Sequence, residues 1–568
     1  MNLELLNTAE STLSKLENLI RNVMTTDTVS DENTMKEIKM LAKECGLNQR
    51  ELNKLINKYN NSNYENDLLE IIAESYSKPK KQEEQPKKSI KISVYNLAVY
   101  FERTQKYKFL IGSGGEISMI YFYNHGYYKG ISEKTLKGYI KEICENALDK
   151  YAELSDENAV CVTEYRNSHL IYASILKSAF EQIVCSTTHN VSVSELNANE
   201  TLINFQNGVV DFSESDAPLR YHNSNILSTI QLPCNYIPNC TDTAPVFEKF
   251  LNDLTDGDNE KKRVILEYMA VAVSNICGHR FKKAMFFIGQ GDTGKSKIRN
   301  LLEYLIGESH CSSADLNKLE ERFGASAVYN KRVVGSMDMG FIYINELRVF
   351  KSMSGGDRIR IEYKGKDGFD YIFEGLLLFG ANQLPKFGGD KGKWVYDRMI
   401  IIRCNNVIPK EKQDATLLDK MKAESEIIVN AYLLPVLKEM LRNGLGALRF
   451  TIPQSSIDEI EQYKIANNSV LQFLKECTTE ENITPQSQLT LKQIYSAYKE
   501  WTKENTRNAY SVDKTTFTEE ICVKYNVSRK SDLERVLHGK HLITAFTLTE
   551  SAREELHIFN QVSDMDRI

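Results

Sequence analysis

The sequence predicts an α/β protein whose core is a mainly parallel sheet covered by helices on both faces. Three observations predict it. From about Thr241 to Phe450, apolar strand-like runs alternate with helical patterns, as in doubly covered parallel sheets. One run, Ala284 to Ile288, leads into Gly289-Gln290-Gly291-Asp292-Thr293-Gly294-Lys295-Ser296 and then a helical stretch from Lys295 to Leu305 that ends near Gly307. Two more, Leu376 to Ala381 and Met399 to Ile402, are apolar throughout, as strands buried on both faces must be.

The chain has 568 residues, enough for about three or four domains with separate cores. Its composition is that of a soluble globular protein. With no N-terminal signal segment and no apolar run long enough to span a bilayer, a cytoplasmic protein without a membrane partner is expected. The 11 cysteines are scattered singly, with no C-x-x-C pair, so free thiols are expected rather than a zinc site or disulfide framework. A net charge of −6 argues against a protein that coats nucleic acid over its whole surface. Any DNA contact must be local.

Residues 1–76 read as a small helical region; within it, Met40 to Leu52 has two short helical pieces around Gly46, a spacing shared by helix-turn-helix modules and by plain helical bundles. Residues 77–89 are polar, charged and broken by two prolines, the composition of a linker. Residues 90–240 mix short aromatic strands such as Met119 to Tyr123 with helices such as Glu133 to Leu148. Asn124-His125-Gly126 before Tyr127 predicts a hairpin turn, in which His125 is structural. Residues 241–450 form the α/β segment. Residues 455–568 are helical, then mixed, and Tyr495, Tyr498 and Trp501 at helical spacing read as a buried face rather than a base-stacking platform.

The Gly289–Ser296 segment fits the phosphate-loop pattern G-x-x-x-x-G-K-S at every fixed position. Such glycines let backbone N–H groups turn around a triphosphate, Lys295 can reach the β- and γ-phosphates, and the Ser296 hydroxyl can ligate Mg²⁺. Four features follow it. Arg332 to Asp338 is an apolar strand ending in an acid, suited to hold the water shell of Mg²⁺ opposite Ser296. Lys351 to Arg360 contains Gly355-Gly356-Asp357, and Glu362 to Tyr371 reads as a hairpin with Lys364 and Lys366 at its tip. Leu376 to Asn382 ends a buried strand on an amide, which can hold an attacking water or a phosphate oxygen without adding charge. Arg398 opens a further apolar strand, where an arginine can stabilise charge on a transferring phosphoryl group.

In this order, the motifs resemble the superfamily III DNA helicases, more narrowly the poxvirus- and phage-satellite-type replication helicases. Thr201 to Asp211 and Leu232 to Pro238 look like the domain preceding the motor in that family. The resemblance spans about residues 90–520. It implies an AAA+-like P-loop ATPase domain at 241–450, an α+β collar at 90–240 and a winged-helix-like DNA-binding domain at 455–568. It implies ATP and Mg²⁺ bound between subunits of a homo-hexamer. Lys295 and Ser296 are then on the phosphates and metal, Asp338 is the second-motif acid, Asn382 the first sensor, Arg398 a finger acting in trans, and Lys364 and Lys366 point at DNA in the channel. The relatives it looks most like are self-loading replication initiator helicases of mobile elements, particularly staphylococcal pathogenicity islands, which act on single-stranded, forked and origin DNA.

One departure concerns the acid. Met337 and Met339 flank Asp338 where many members have a second carboxylate, leaving Glu346 and Asp338 itself as candidates to activate water. No Asp-x-Asp element upstream suits a primase metal site. Lys524, Arg529, Lys530, Arg535, His538, Lys540 and His541 cluster near the C-terminus and read equally as a phosphate-contacting surface or a solvated one. The alternative function is a DNA-binding initiator or loader whose ATPase is a conformational switch.

Overall fold

The computed structural model describes residues 38, 40–42, 65–77, 87–112, 115–167, 171–340, 343–344, 347–363, 368–387, 393–484, 487–505, 511–537 and 539–556. Most of the Met40 to Leu52 reading, Glu346, Lys364, Lys366 and His538 lie outside them. The described residues divide into two compact units. One runs to Ala198 and takes back His222–Thr229; the other comprises Asn199–Tyr221 and residues from Ile230 on.

The first unit is built on a four-stranded sheet in the order Tyr127–Ile131, Ile117–Asn124, Tyr107–Ile111, Asn190–Val191. The turn between its first two strands in the chain's central hairpin is the expected one: His125 and Gly126 both take positive φ, 49° and 98°, as a tight hairpin turn requires. Ser132 caps the long helix Glu133–Glu153 by accepting from the Thr135 N–H at 3.1 Å. Leu136, Ile140, Cys144 and Leu148 on that helix pack with Phe101 and Phe109 in one core.

Two boundaries differ from expectation. Ile72–Tyr76 pairs with Lys88–Ile92 as an antiparallel hairpin, so the stretch expected as a linker at 77–89 joins two paired strands of one unit. Proline- and lysine-rich composition is shared by linkers and hairpin loops, and pairing is decided by partners that composition does not reveal. The second difference falls inside the expected 90–240 segment. The hairpin Leu202–Phe205 with Gly208–Asp211 packs with the α/β segment, because Ile203, Phe205, Val210, Phe212, Leu232 and Tyr236 share a core with Phe247, Val264, Met285 and Ile400.

The second unit carries the expected parallel sheet. Its strands are β1 (Ala284–Ile288), β2 (Cys311–Ser312), β3 (Val333–Val334), β4 (Leu376–Ala381) and β5 (Met399–Arg403), in the order β2-β3-β4-β1-β5, all parallel. Helices α1 (Pro245–Thr255) and α2 (Asn259–Ala272) precede β1, α3 (Lys295–Ile306) follows it, and α4 (Arg348–Gly355) lies between β3 and β4. Every residue of β1 and β4 is buried, which explains why both read as unbroken apolar runs. Arg332 fastens helix to sheet: its buried guanidinium donates to the carbonyls of Val271 (2.5 Å), Ala272 (3.3 Å), Ile276 (2.5 Å) and Glu374 (2.9 Å). It thereby ties the last carbonyls of α2, those of Val271 and Ala272, to the segments carrying Ile276 and Glu374.

Helix α5 (Gln454–Asn467) covers the edge strand β5, with the Ile401 N–H donating to Ser456 Oγ at 2.8 Å and Arg403 gripping Glu459 through two bonds of 2.5 and 2.6 Å. An otherwise open sheet edge is closed in this way. Beyond it, helices Ser469–Cys477, Leu491–Asn505 and Lys514–Lys524 and the hairpin Glu534–Leu537 with Lys540–Ile543 surround Phe473, Tyr498, Trp501 and Phe517. Tyr498 and Trp501 are core, as read from their spacing.

Candidate nucleotide site

The strand register assembles one edge of the sheet. Ile288 lies level with Ala381 of β4 on one side and Arg403 of β5 on the other, so three carboxyl ends meet side by side. The ladder continues into the loop: the Gly289 N–H donates to Ala381 O at 3.1 Å and the Cys404 N–H to Ile288 O at 2.7 Å. This leaves no room for a side chain at 289. A Cβ there would stand 2.1 Å from the Cys404 carbonyl oxygen.

Two other elements fix the loop. Gly294, at φ 89°, turns the chain into α3, and a Cβ on it would lie 3.2 Å from the Phe250 ring of α1. Asp292 takes a left-handed φ of 61°, and its carbonyl accepts from the Ile408 N–H at 2.9 Å. Gly289→Ala should therefore displace the 404–408 segment. We expect destabilisation of about 1–3 kcal/mol from overpacking and loss of nucleotide affinity; a thermal melt and a nucleotide titration unchanged from wild type would refute the steric reading.

Lys295 opens α3 and is only 7% exposed. Its Nζ donates to Gly289 O at 2.6 Å, Gln290 O at 2.5 Å and Thr293 Oγ1 at 3.2 Å. Burial pushes its pKa below the ordinary lysine range, opposed by the fields of Cys404, Asp338 and Asp292. The start of α3 has no side-chain cap and no acidic residue in its first turn, where a helix ordinarily favours negative charge. A helix start of this kind favours an anion, and the Lys295 amine lies beside it.

Asp338 arrives at the same edge. Beyond β3 the chain keeps to β4, with the Gly380 N–H donating to Ser336 O at 2.8 Å and the Met339 N–H to Gly380 O at 2.9 Å. Asp338 is exposed there, as are Ser296 and Asn382, which directly follows β4. Gly289, Gln290, Gly291, Asp292, Thr293, Gly294, Lys295, Ser296, Asp338 and Asn382 are thus drawn from distant parts of the chain to one end of the sheet. A binding groove at a carboxyl edge is the usual place for a ligand in open α/β sheets.

Arg398 is at the other end. It precedes Met399, which lies level with Ala284, and its carbonyl accepts from the Ala284 N–H at 2.7 Å. Arg398 itself is thus level with Lys283, six residue steps from Gly289 or about 20 Å along the strand. Arg398 and Lys295 of one chain therefore do not share a site.

The Gly-Gly-Asp element has a structural explanation. Gly356, at φ 80°, ends α4 in the left-handed conformation, the Asp357 N–H donates to Ser352 O at 3.0 Å, and a Cβ at 356 would meet the His279 ring at 2.8 Å. The chain then enters a hairpin, Arg358–Ile361 with Phe369–Ile372, whose first strand lies ahead of the Glu362 to Tyr371 stretch expected to form it. Near the C-terminus, Lys524, Arg529, Arg535 and Lys540 are exposed. Glu534 takes up two other members of that cluster, Lys530 at 3.0 Å and His541 at 3.5 Å. The backbone of Cys404 and the α1 residue Phe250 were not singled out from the sequence, because they reach the loop from about 110 and 40 residues away with no motif of their own.

The parallel sheet, its loop and the helix after it define an α/β domain of the P-loop-like kind. Residues 103–256 match the D5 N-terminal-like family, and residues 287–398 match a family of unknown function, DUF5906. The chain is 25% identical over 384 residues to the putative helicase 121R of Invertebrate iridescent virus 3, covering 61% of this chain and 39% of that protein. It is 24% identical over 322 residues to the putative helicase L207/L206 of Acanthamoeba polyphaga mimivirus, covering 51% of this chain and 32% of that one. It thus spans between about a third and two fifths of these relatives. Among solved structures, the apo C-terminal region of NrS-1 aligns over 79% of this chain and 98% of its own, at 12% identity and a TM-score of 0.40. The chain resembles the superfamily III-like replication helicases of phages and viruses. Among the described residues no helix is long and apolar enough to cross a membrane.

Proposed function

We propose that this protein is an ATP-dependent, ring-shaped replicative DNA helicase and replication initiator of a mobile genetic element, with each ATP bound between two copies of the chain. The observation that carries this reading is the division of charge along β1 and β5. Lys295, Asp338 and Asn382 stand at the carboxyl edge, while Arg398 stands about 20 Å away at the amino edge. A cation so placed serves a neighbouring copy, and head-to-tail repetition of such a contact gives a ring where the rotation between copies closes. The names of the two viral relatives and the D5 N-terminal-like match support the helicase class.

The residues present suit a magnesium nucleotide. An anion is favoured by the uncapped start of α3 and the buried Lys295 amine, and hard oxygen ligands are available in Ser296 Oγ and the Asp338 carboxylate. Bound there, Mg²⁺ would neutralise charge on the phosphates. Lys295 leaves its loop carbonyls for the phosphates, the loop N–H groups orient the triphosphate, and Asn382 holds the attacking water or a phosphate oxygen. Arg398 of the adjacent copy stabilises the charge that develops on the transferring phosphoryl group.

Hydrolysis then shifts the hairpin Arg358–Ile361/Phe369–Ile372, with Lys364 and Lys366 in the sequence between its strands, along one DNA strand by contacts to the phosphate backbone that are independent of sequence. We assign the first unit a collar role and the helices and hairpin after residue 468 a winged-helix-like role at the origin. The exposed Lys524, Arg529, Arg535 and Lys540 support phosphate contact there. The likeness of the motifs to initiators of staphylococcal pathogenicity islands supports the mobile-element origin.

The test is a forked duplex with one labelled strand, incubated with the purified chain, ATP and Mg²⁺ and no other protein. Strand release is expected. ATP hydrolysis without release would favour instead an initiator that uses its ATPase as a conformational switch.

A further inference from the structure

Among the described residues the groups that hydrogen-bond Arg398 are neutral, and Asp357, whose carboxylate flanks Nη2 at Gly355, forms no ion pair with it. Arg398 Nε donates to Ser354 Oγ at 2.9 Å, its Nη1 donates to Trp394 O at 3.2 Å, and the guanidinium carbon lies 5.3 Å from the centre of the Trp394 ring. Among the described residues it forms no ion pair, in contrast to Arg403, whose guanidinium is taken up by Glu459. A carboxylate holder would fix the side chain equally well, but it would cancel the charge that a phosphate needs.

Ser354 is buried, at 4% exposure, in the last turn of α4. Its hydroxyl donates back to Phe350 O at 2.7 Å, with Lys351 O at 3.2 Å as the alternative. With its single proton committed to the helix, the oxygen offers a lone pair, and Arg398 Nε is the donor that takes it. Trp394 restrains the guanidinium from its face and by its carbonyl, and the same ring carries Lys351 Nζ at 4.8 Å. Both constraints leave Nη2 and the second Nη1 hydrogen uncommitted to either holder.

We propose that Ser354 and Trp394 are positioning residues for Arg398, fixing its guanidinium fork without a carboxylate partner for an anion supplied by a neighbouring copy. This rests on the reading of Arg398 as acting in trans. Their work is to reduce the rotamers open to a long side chain so that little order must be gained when the phosphoryl group transfers.

The test uses the full chain and single-stranded DNA-stimulated ATP hydrolysis. Ser354→Ala and, as an independent second variant, Trp394→Leu should each lower kcat about tenfold while leaving the KM for ATP within about twofold, because misplacement of a transition-state group spares ground-state binding. The decisive readout is rescue in mixtures. Mixed one to one with Lys295→Ala chains, which supply an intact Ser354 and Arg398, each variant should turn over about fivefold faster than the average of its two parents, since about a quarter of random interfaces are whole. Mixed with Arg398→Ala chains, neither should gain. A general folding defect, or damage to the variant's own nucleotide site, would give no rescue by Lys295→Ala. If Arg398→Ala is rescued by Lys295→Ala but Ser354→Ala and Trp394→Leu are not, the positioning role is wrong and the trans reading stands. If Arg398→Ala is not rescued either, the trans reading itself fails.

Discussion

On the proposed function, Lys295→Ala should stop ATP hydrolysis, lowering turnover by about a thousandfold or more, because the substitution removes an amine placed to follow the charge of the β- and γ-phosphates. Its magnitude follows from where the amine is. Lys295 Nζ sits among the Gly289 and Gln290 carbonyls and Thr293 Oγ1, at the uncapped start of α3. An amine so buried in a loop contributes more than one in water, since the lower effective dielectric strengthens its field. The substitution leaves the apolar contacts of β1 and α3 intact, so the fold should persist. Phosphate release with single-stranded DNA present, paired with a thermal melt, checks this. Residual hydrolysis above about a tenth of wild type in a folded variant would remove Lys295 from the chemistry.

Arg398→Ala should cost about as much, a thousandfold or more in turnover if the arginine stabilises the transferring phosphoryl group, yet for a different reason and with a different signature. The side chain touches Ser354 and Trp394 at the amino edge of the sheet, about 20 Å from Gly289 along the strand. Its own copy's loop is untouched, so binding of nucleotide should stay within about threefold of wild type while kcat collapses, the pattern of an interaction made only in the transition state. Titration with a fluorescent nucleotide beside steady-state hydrolysis separates the two. A parallel loss of affinity and turnover would mean that Arg398 supports the fold or a site in its own chain.

How much of this was legible in the sequence depends on which force places each element. β1, β4 and β5 were readable because burial on both faces demands unbroken apolar runs, as in Ala284–Ile288 and Leu376–Ala381. β2 and β3 hold two residues each, Cys311–Ser312 and Val333–Val334, too short for any periodicity; only the acid at 338 drew attention to the second. The loop was legible as a pattern, but the reason for glycine at 289 was not, since it lies in the carbonyl of Cys404. Composition read 77–89 as a linker, and the pairing of Ile72–Tyr76 with Lys88–Ile92 at its two ends becomes visible only in the fold. The packing of Ile203 and Phe205 with Phe247 and Met285 is likewise a tertiary choice that no local signal announces. Arg398 could be found by its place before an apolar strand. That it stands at the opposite edge from Lys295 follows only from the parallel register of β5 on β1.

Whether two copies complete one nucleotide site is decided most directly by mixing Lys295→Ala and Arg398→Ala chains, each nearly inactive alone. In a head-to-tail ring assembled at random from equal amounts, about a quarter of the interfaces join an intact Lys295 to an intact Arg398. Hydrolysis in the mixture should rise to about that fraction of wild type under the same conditions. Mixed rings that form, as seen by co-purification of differently tagged chains, but hydrolyse no faster than the average of their two parents would contradict the shared site.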